Sequence, residues 1–358
     1  MDEFKIIHHP ETLKNIKDGI ATAPISVRLV LSDLCNQNCH FCTFRMENSF
    51  TNTMFKGTDK NGFETYNPKR FLHETKALEV IDDLVSMGVK SLELTGGGEP
   101  TVHPKHIQII TKAINSGLDL GLITNGVLMK PELAEILTKA SWCRFSIDAG
   151  NPETYSRIRC VPSKTYDKVM ENIKILAEAR NSTNSSLVIG TSFIVTDENY
   201  EELFDCAKIV SKLGVDYLRV GYYRTDEGFV AGDYDKVTSQ LNKAQEAFNT
   251  DNFKVLDGYT ESSKNMDSAP DYSFCSYQYV NTWIAADYNV YRCCVTSYDE
   301  SGLLGSIREQ SFKQLWFSDA RSKDMTCFDA KSCKQCIYNQ KNRAINYALQ
   351  TPKHRNFI

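Results

Sequence analysis

Short apolar runs alternate with longer, partly polar segments through the first two thirds of the chain. The short runs are typical of buried strands and occur at residues 25–32, 90–95, 119–124, 142–147, 187–195 and 215–221. The longer segments are typical of helices and occur at residues 70–88, 104–116, 131–139, 165–180 and 198–213. Strands and helices that alternate in this order predict a parallel sheet with right-handed crossovers.

The last third of the chain has a different pattern. Two short runs at 282–286 and 289–293 flank a turn at Asp287 and predict a β-hairpin. The chain is therefore expected to divide into the following parts: an N-terminal extension at 1–24, a core at 25–230, a linker or helical segment at 231–260, a small C-terminal domain at 261–345 and a tail at 346–358.

A polar insert at 47–69 separates the first strand from the first long helix. It is too long for an ordinary connection between two elements. Long loops at the mouth of a barrel are often lids or substrate contacts, and the alternative is a surface loop without function.

Charge and composition exclude several classes of function. The net charge is −4 and the chain has no basic run, so a nucleic-acid partner is not expected. Neither a signal-like N-terminal segment nor a long apolar run is present in the sequence, which predicts a cytoplasmic protein that does not span a membrane. Twelve cysteines in that compartment indicate metal sites rather than disulfides.

Three of these cysteines follow the first predicted strand with CX3CX2C spacing, at Cys35, Cys39 and Cys42. A four-iron cluster needs four ligands, so a loop with three thiolates leaves one iron open to a ligand that is not protein. Zinc is the alternative, because CxxC pairs also bind zinc. Structural zinc sites usually combine two such pairs, and no second pair follows within about 20 residues.

A glycine-rich turn follows the second predicted strand. It consists of Gly96, Gly97, Gly98 and Glu99, with Pro100 next. Glycines allow the backbone to approach a neighbouring group closely, because no side chain stands in the way. The cysteine loop on the first strand and this turn on the second together resemble the radical S-adenosylmethionine (radical SAM) superfamily.

The resemblance implies a fold and a set of cofactors. The fold is α/β, a partial (β/α)6 TIM-like barrel with a small C-terminal auxiliary domain, and the strands' carboxyl ends carry the site. The cofactors are S-adenosylmethionine and a 4Fe–4S cluster with an open iron, held by the catalytic cysteines Cys35, Cys39 and Cys42. An external electron donor such as flavodoxin or ferredoxin is implied as a partner.

The resemblance also implies contacts with the cofactor. Phe41 and Gly190 are expected near the adenine, and the turn of Gly96, Gly97, Gly98 and Glu99 at the methionyl amino group. Ser146 and Asp148 are expected at the ribose or carboxylate, and Arg159 at the carboxylate. For Ser146 and Asp148 the alternative is a helix cap before Pro152. Substrate contacts are expected at the barrel mouth, from Tyr222, Tyr223 and Arg224. For each arginine the alternative is a surface salt bridge.

A second group of cysteines crowds the C-terminal region, at Cys275, Cys293, Cys294, Cys327, Cys333 and Cys336. With the hairpin, this layout resembles the SPASM and twitch domains, which bind auxiliary iron–sulfur clusters. No cysteine follows Cys336, so the shorter twitch form with one auxiliary 4Fe–4S cluster fits better. The expected ligands are Cys275, Cys293, Cys333 and Cys336. Adjacent strand residues point to opposite faces, so one of Cys293 and Cys294 is expected to be a bystander. A zinc ribbon is the alternative.

The resemblance implies an oxidoreductase that forms a 5′-deoxyadenosyl radical and abstracts hydrogen from its substrate. The leading hypothesis is oxidation of a small polar metabolite, with the auxiliary cluster as electron acceptor. A ribosomal peptide maturase or epimerase is the first alternative, although only about 24 residues precede the first strand. A non-catalytic iron–sulfur or zinc binding module is the second, and such a module has no need of the glycine turn.

Overall fold

A parallel sheet forms the centre of the molecule. The computed structural model describes residues 3–44, 70–225, 228–230, 232–260 and 269–351, so the insert at 47–69 lies outside the described residues. The first strands are β1 (Ser26–Val30), β2 (Ser91–Thr95), β3 (Asp119–Thr124), β4 (Trp142–Ser146), β5 (Val188–Val195) and β6 (Tyr217–Thr225). Each pairs in parallel with the next. The prediction of an α/β partial barrel is confirmed, and the barrel is open.

Helices connect these strands and continue into the C-terminal region. They are α1 (Pro10–Lys17), α2 (Glu74–Met87), α3 (His106–Asn115), α4 (Pro131–Leu137), α5 (Pro152–Arg159), α6 (Lys164–Ser182), α7 (Leu203–Val210), α8 (Tyr234–Phe248), α9 (Tyr277–Val280), α10 (Phe312–Trp316), α11 (Asp319–Cys327) and α12 (Asn339–Leu349). Helix α2 shows how local sequence sets the limits. The His73 side chain accepts a hydrogen bond from Thr75 N–H at its start, and Gly88, with φ of 80°, ends it.

Alternation along the strands separates an apolar outer face from a polar inner face. Val27 and Leu29 of β1 are fully buried in the main core, which they share with Val80 and Leu84 of α2. Arg28 lies between them in sequence, so it faces the interior of the barrel. There it forms an ion pair with Glu93 of β2 at 3.2 Å, and both side chains remain 18% exposed. At this position the inner face of the barrel is therefore polar and partly accessible to solvent.

The segment 231–260, expected to be a linker or helical, contains α8 and continues the barrel. Strand β7 (Gly228–Val230) pairs antiparallel with β6, and strand β8 (Lys254–Asp257) pairs parallel with it. The aromatic rings of Phe204 in α7 and Phe248 in α8 lie 5.1 Å apart. The sheet thus extends past β6 by one further parallel strand.

The C-terminal hairpin is present as predicted, and it joins the sheet of the barrel. Its strands are β9 (Asn281–Ile284) and β10 (Asn289–Tyr291), and β11 (Leu303–Ser306) follows antiparallel to β10. Asp287 orders the turn, since it accepts hydrogen bonds from Asn289 N–H at 2.9 Å and the Tyr291 hydroxyl at 2.7 Å. Strand β9 pairs parallel with β1, from Ser26 opposite Asn281 to Leu29 opposite Ile284. The sequence did not predict this pairing.

The N-terminal extension packs on the C-terminal domain. Ile6, from a 3-10 helix at Glu3–His8, and Ile16 of α1 are buried in one cluster with Tyr277 of α9 and Ile345 of α12. Both ends of the described chain therefore cover the same side of the barrel. In the described part of the chain, no helix is long and apolar enough to cross a membrane.

Replacing Ile284 by alanine should lower the free energy of unfolding by about 2–5 kcal/mol, because deleting a fully buried isoleucine leaves a cavity. The matched control is Ile7→Ala, since Ile7 is 60% exposed. Urea unfolding of the reconstituted protein measures both. If Ile284→Ala costs less than about 0.5 kcal/mol, as surface changes do, the hairpin does not share the core of the barrel.

Candidate functional site

The loop with Cys35, Cys39 and Cys42 lies at the carboxyl end of β1, and all three residues are partly exposed. The loop rests on the C-terminal end of α5. The N–H groups of Asn38 and His40 donate to the carbonyls of Arg159 and Ile158, at 3.2 and 3.0 Å. These carbonyls have no partner within the helix, so the cysteine loop satisfies them and is held in place.

A buried ion pair lies directly beneath this loop. Arg159 pairs with Asp148, and both side chains are almost completely buried. The Arg159 guanidinium also donates to Gln37 Oε1 at 2.9 Å and to Cys39 Sγ at 3.7 Å, and it lies 5.7 Å from the ring centroid of Phe41. Burial raises the pKa of Cys39, while the positive charge of Arg159 opposes that shift. Three predicted cofactor contacts, Phe41, Asp148 and Arg159, are thus brought together beside one cysteine.

The helix cap considered as an alternative role for Ser146 and Asp148 belongs to another residue. Asn151 caps α5 and accepts a hydrogen bond from Thr154 N–H at 2.9 Å. Asp148 has a left-handed backbone, with φ of 58°, and its carboxylate accepts from Ile194 N–H at 2.7 Å. Ser146 ends β4 and is partly exposed. Contact of Ser146 and Asp148 with the cofactor stays a prediction.

The glycine turn is in direct contact with the start of the cysteine loop. Gly98 N–H donates to Ser32 O and Glu99 N–H donates to Leu34 O, each at 2.9 Å. A Cβ at Gly98 would lie 2.2 Å from the carbonyl oxygen of Leu34, and one at Gly97 would lie 2.7 Å from the Tyr298 hydroxyl. The close approach that the glycines permit is therefore an approach to the protein itself, and the contact of Gly96, Gly97 and Gly98 with the cofactor stays a prediction.

The carboxylate of Glu99 is buried and surrounded by protein donors. It accepts hydrogen bonds from the Thr101 and Thr124 hydroxyls, at 2.6 and 2.7 Å, and from Asn125 N–H at 2.7 Å. The Asn125 side chain in turn donates to Asn36 Oδ1 at 2.6 Å. Glu99 thereby links the end of β3 to the cysteine loop. Its contact with the cofactor stays a prediction. Sequence reasoning missed Thr124 and Asn125, although they lie at the end of a predicted strand.

The remaining predicted residues lie further from the loop. The ring of Tyr217 lies over Gly190, where a Cβ would come within 2.0 Å of Tyr217 Cζ. Packing against Tyr217 therefore requires a glycine at position 190. The location of Gly190 beside the adenine stays a prediction. Tyr222 packs against the main hydrophobic core. The side chains of Tyr223 and Arg224 lie outside the described residues.

The four predicted auxiliary ligands line one cavity, whose wall contains Cys275, Cys293, Cys333 and Cys336. Cys294 contributes nothing to that wall. Its thiol lies 2.9 Å from the Tyr338 hydroxyl and 3.5 Å from Arg28 Nη1. Cys327 is exposed at the end of α11. Cys293 therefore faces the cavity and Cys294 does not. Both residues follow the end of β10 at Tyr291, so the prediction of a strand through Cys293 is wrong, and alternation along a strand does not explain their different directions.

The cavity wall also includes polar residues that the sequence did not identify. Arg292 is buried there, donates to Gln278 Oε1 at 2.6 Å and lies 4.1 Å from the ring centroid of Phe328. Burial raises the pKa of Cys275 to about 11 and that of Cys333 to about 12. These thiols must lose their protons to ligate iron, so cluster binding at this cavity releases protons.

The cysteine thiols of the loop and of the auxiliary cavity are suitable ligands for iron–sulfur clusters. Three thiols on an accessible loop can hold three irons of a 4Fe–4S cluster, and four thiols around one cavity can hold all four. Within the described ranges, no three His, Cys, Asp or Glu side chains converge closely enough to bind a single metal ion. A cluster does not require that convergence, since each thiolate binds its own iron.

Comparison with known families agrees with this chemistry. A model of the radical SAM superfamily matches residues 29–210. The chain belongs to the radical SAM superfamily. A model of the SPASM iron–sulfur cluster-binding domain matches residues 275–337, a range that contains all four cavity cysteines. The cofactors of this radical SAM protein are therefore S-adenosylmethionine and 4Fe–4S clusters, including an auxiliary cluster.

Known relatives cover different parts of the chain. An AdoMet-dependent heme synthase from Methanosarcina barkeri is 28% identical over 198 residues, which is 55% of this chain and 50% of that protein. The chain thus matches half of that relative's length. The sporulation killing factor maturation protein SkfB from Bacillus subtilis is 27% identical over 324 residues, 88% of this chain and 69% of that protein.

One solved structure shows the extent of the shared fold. Streptococcus suis SuiB, in its complex with the precursor peptide SuiA, superposes with a TM-score of 0.62 and 16% identity. The superposition covers 94% of this chain and 74% of that chain. The likeness therefore extends across the barrel and the C-terminal domain.

Replacing Cys293 by alanine should reduce the iron content of reconstituted protein from about eight to about four per chain, because the auxiliary cluster loses a ligand. The neighbouring Cys294→Ala is the matched control and should retain about eight irons. Iron and sulfide analysis, with Mössbauer spectra, measures both. Equal iron in the two variants, or loss only in Cys294→Ala, would contradict the assignment of Cys293.

Proposed function

We propose that this radical SAM enzyme oxidises a residue of a peptide substrate. The observation that carries the proposal is the extent of the match to SkfB, which spans 88% of this chain. A match of that length includes the C-terminal domain as well as the barrel, and SkfB is a maturation protein. The SuiB complex with a precursor peptide supports the same substrate class, although 16% identity establishes only the shared fold.

The proposed chemistry begins at the cysteine loop. Cys35, Cys39 and Cys42 would hold a cluster with one open iron, and the bound cluster and S-adenosylmethionine supply a 5′-deoxyadenosyl radical. The chain's part is to position the reactants. Hydrogen bonds from the loop to the end of α5, and the buried pair of Arg159 with Asp148, fix the loop relative to β4. The electron that starts the reaction would come from an external donor such as flavodoxin or ferredoxin.

A cluster held in the auxiliary cavity would be suited to accept an electron. Four thiols can ligate every iron of one cluster, which leaves no iron to hold the substrate. In a two-electron oxidation the substrate carbon would give a hydrogen atom to the adenosyl 5′ carbon. The substrate radical would then lose one proton to solvent and one electron, and a cluster held by the four auxiliary cysteines would accept that electron.

Contacts within the described structure connect that cavity to the barrel. Tyr338 is part of the cavity wall, and its hydroxyl accepts a hydrogen bond from Arg28 at 2.5 Å. Arg28 lies on the inner face of β1 beside Glu93, so the auxiliary cavity adjoins the barrel interior. The electron would therefore leave the substrate at the side of the barrel opposite the cysteine loop.

A small polar metabolite is the second candidate substrate. Residues 337–358 contain no cysteine, and the four cavity cysteines form one ligand set for an auxiliary cluster. That layout resembles the twitch domain of a radical SAM alcohol dehydrogenase. Both candidates share the same oxidation and differ in substrate size.

A synthetic peptide library should stimulate 5′-deoxyadenosine formation by reconstituted enzyme, with S-adenosylmethionine and dithionite present, and yield a product 2 Da lighter. A matched panel of polyols and amino sugars should leave the rate at its background, since the proposal assigns a peptide substrate. Liquid chromatography with mass spectrometry measures both. Stimulation by the metabolite panel alone would replace the peptide by the second candidate.

Replacing Cys275 by alanine should separate hydrogen abstraction from oxidation. The variant should still form 5′-deoxyadenosine and carry deuterium into it from a labelled substrate carbon, yet release little oxidised product. The reason is that the second electron has no acceptor once the auxiliary cluster is lost. Cys294→Ala serves as the control and should form both products. Oxidised product at the wild-type rate from a Cys275 variant shown to lack the auxiliary cluster would exclude the acceptor role.

A further inference from the structure

Arg292 brings a buried positive charge to the wall of the auxiliary cavity. It directly precedes Cys293 in the chain and lines the same cavity as the four cysteines. Among the described residues that line this cavity, it is the one with a charged side chain other than the thiols, and none is Asp or Glu. The surroundings of a cluster bound there would therefore include a fixed positive charge and no carboxylate.

Three protein groups hold the Arg292 guanidinium in place. It donates to Gln278 Oε1 at 2.6 Å and to the carbonyl of Ser301 at 3.3 Å, and it forms an ion pair with Asp324. Asp324 is not part of the cavity wall, and its side chain is 44% exposed, whereas that of Arg292 is 5% exposed. Because water screens the carboxylate more strongly than the guanidinium, the ion pair leaves a positive potential at the cavity.

Hydrogen-bond donors also reach two of the predicted ligand thiols. Asn342 Oδ1 accepts a hydrogen bond from Tyr277 N–H at 2.8 Å, and this bond fixes the orientation of the amide. The amide nitrogen donates to Cys336 Sγ at 3.9 Å. The Thr296 hydroxyl lies 3.5 Å from Cys293 Sγ and must be the donor once that sulfur is a thiolate. Both contacts stabilise negative charge on the sulfur atoms.

These features favour the reduced state of a bound cluster. A 4Fe–4S cluster with four thiolate ligands is an anion, and reduction adds a further negative charge to it. A neighbouring cation stabilises the more negative state more strongly, and its effect is largest where water is excluded. Net charge and hydrogen bonds to the sulfurs are among the factors that set the potential of such clusters. The cavity wall is therefore expected to raise the reduction potential.

We propose that Arg292 raises the reduction potential of the auxiliary cluster and thereby directs the electron from the substrate radical to that cluster. The proposal rests on the acceptor role proposed above, and it assigns a tuning function to a residue that binds neither iron nor substrate. In this step the substrate radical is oxidised by one electron and the cluster is reduced by one electron. The cluster would then pass its electron to an external carrier of the flavodoxin or ferredoxin class.

Arg292→Gln removes the charge and keeps a polar side chain at this position. It should lower the potential of the auxiliary cluster and favour its oxidised state at least about tenfold, which is about 59 mV for a one-electron couple. Arg292→Lys keeps the charge and should retain most of the wild-type potential. Redox titration of the reconstituted full-length holoenzyme, followed by EPR, measures both. A full-length variant without Cys35, Cys39 and Cys42 identifies the auxiliary signal.

Asp324→Asn tests the sign of the effect. It removes the counter-charge and leaves Arg292 in place, so the potential should rise, opposite to the shift in Arg292→Gln. Asp324 is partly exposed and outside the cavity wall, so this variant should keep its full iron content. Arg343→Gln is the matched control. Arg343 pairs with Asp271 at the surface at 3.0 Å, and its replacement should leave the potential unchanged.

An unchanged potential in Arg292→Gln would overturn the proposal. So would shifts of the same direction in Arg292→Gln and Asp324→Asn, because altered packing or solvent access has no reason to follow the sign of the charge. If Arg292→Gln loses the cluster, a potential that fails to rise in Asp324→Asn overturns the proposal by itself. The titration needs no substrate, so its result is independent of whether a peptide is oxidised. Opposite shifts without any oxidised peptide would refute the proposed substrate and leave the role of Arg292 intact.

Discussion

The pairing of β9 with β1 is the constraint on which both iron–sulfur sites depend. Strand β1 has β2 on one side and β9 on the other, and all three run in parallel. The loop with Cys35 leaves the carboxyl end of β1, whereas Cys275 and Cys293 lie near the amino end of the paired strands. Five residues of strand span about 17 Å. One pair of strands thus fixes the distance and direction between the two sites, and the polar interior of the barrel lies between them.

The cysteine loop is supported by buried polar groups rather than by apolar packing. Arg159 and Asp148 form their ion pair almost entirely out of water, and Glu99 accepts hydrogen bonds from Thr101 and from the end of β3. Such networks contribute little net stability, but removing one partner costs about 3–5 kcal/mol. The advantage is geometric, because each side chain has one arrangement that satisfies every donor. A loop with few apolar residues can therefore hold its thiols in fixed positions.

Local sequence predicted the parts of the fold that depend on local chemistry. The order of strands and helices along the chain and the hairpin at Asp287 follow from periodicity and turn chemistry over a few residues. The pairing of β1 with β9 joins positions more than 250 residues apart, and no local pattern encodes it. The contact of Gly97 with Tyr298 was missed for the same reason. The N-cap of α5 at Asn151 was also missed, although capping residues are a local signal. Ser146 and Asp148 precede the same helix and are residue types that also cap helices, so the sequence offered more than one candidate.

The way the hairpin joins the barrel also limits how such enzymes can exchange parts. If the hairpin were removed, β1 would present a row of unpaired N–H and C=O groups at the margin of the sheet, and such margins promote aggregation. A transplanted auxiliary domain would have to restore the register of Ser26 with Asn281 as well as supply cysteines. Recombination between relatives is therefore expected to preserve the barrel and this domain as one inherited unit, with variation confined to loops and to residues inside the barrel.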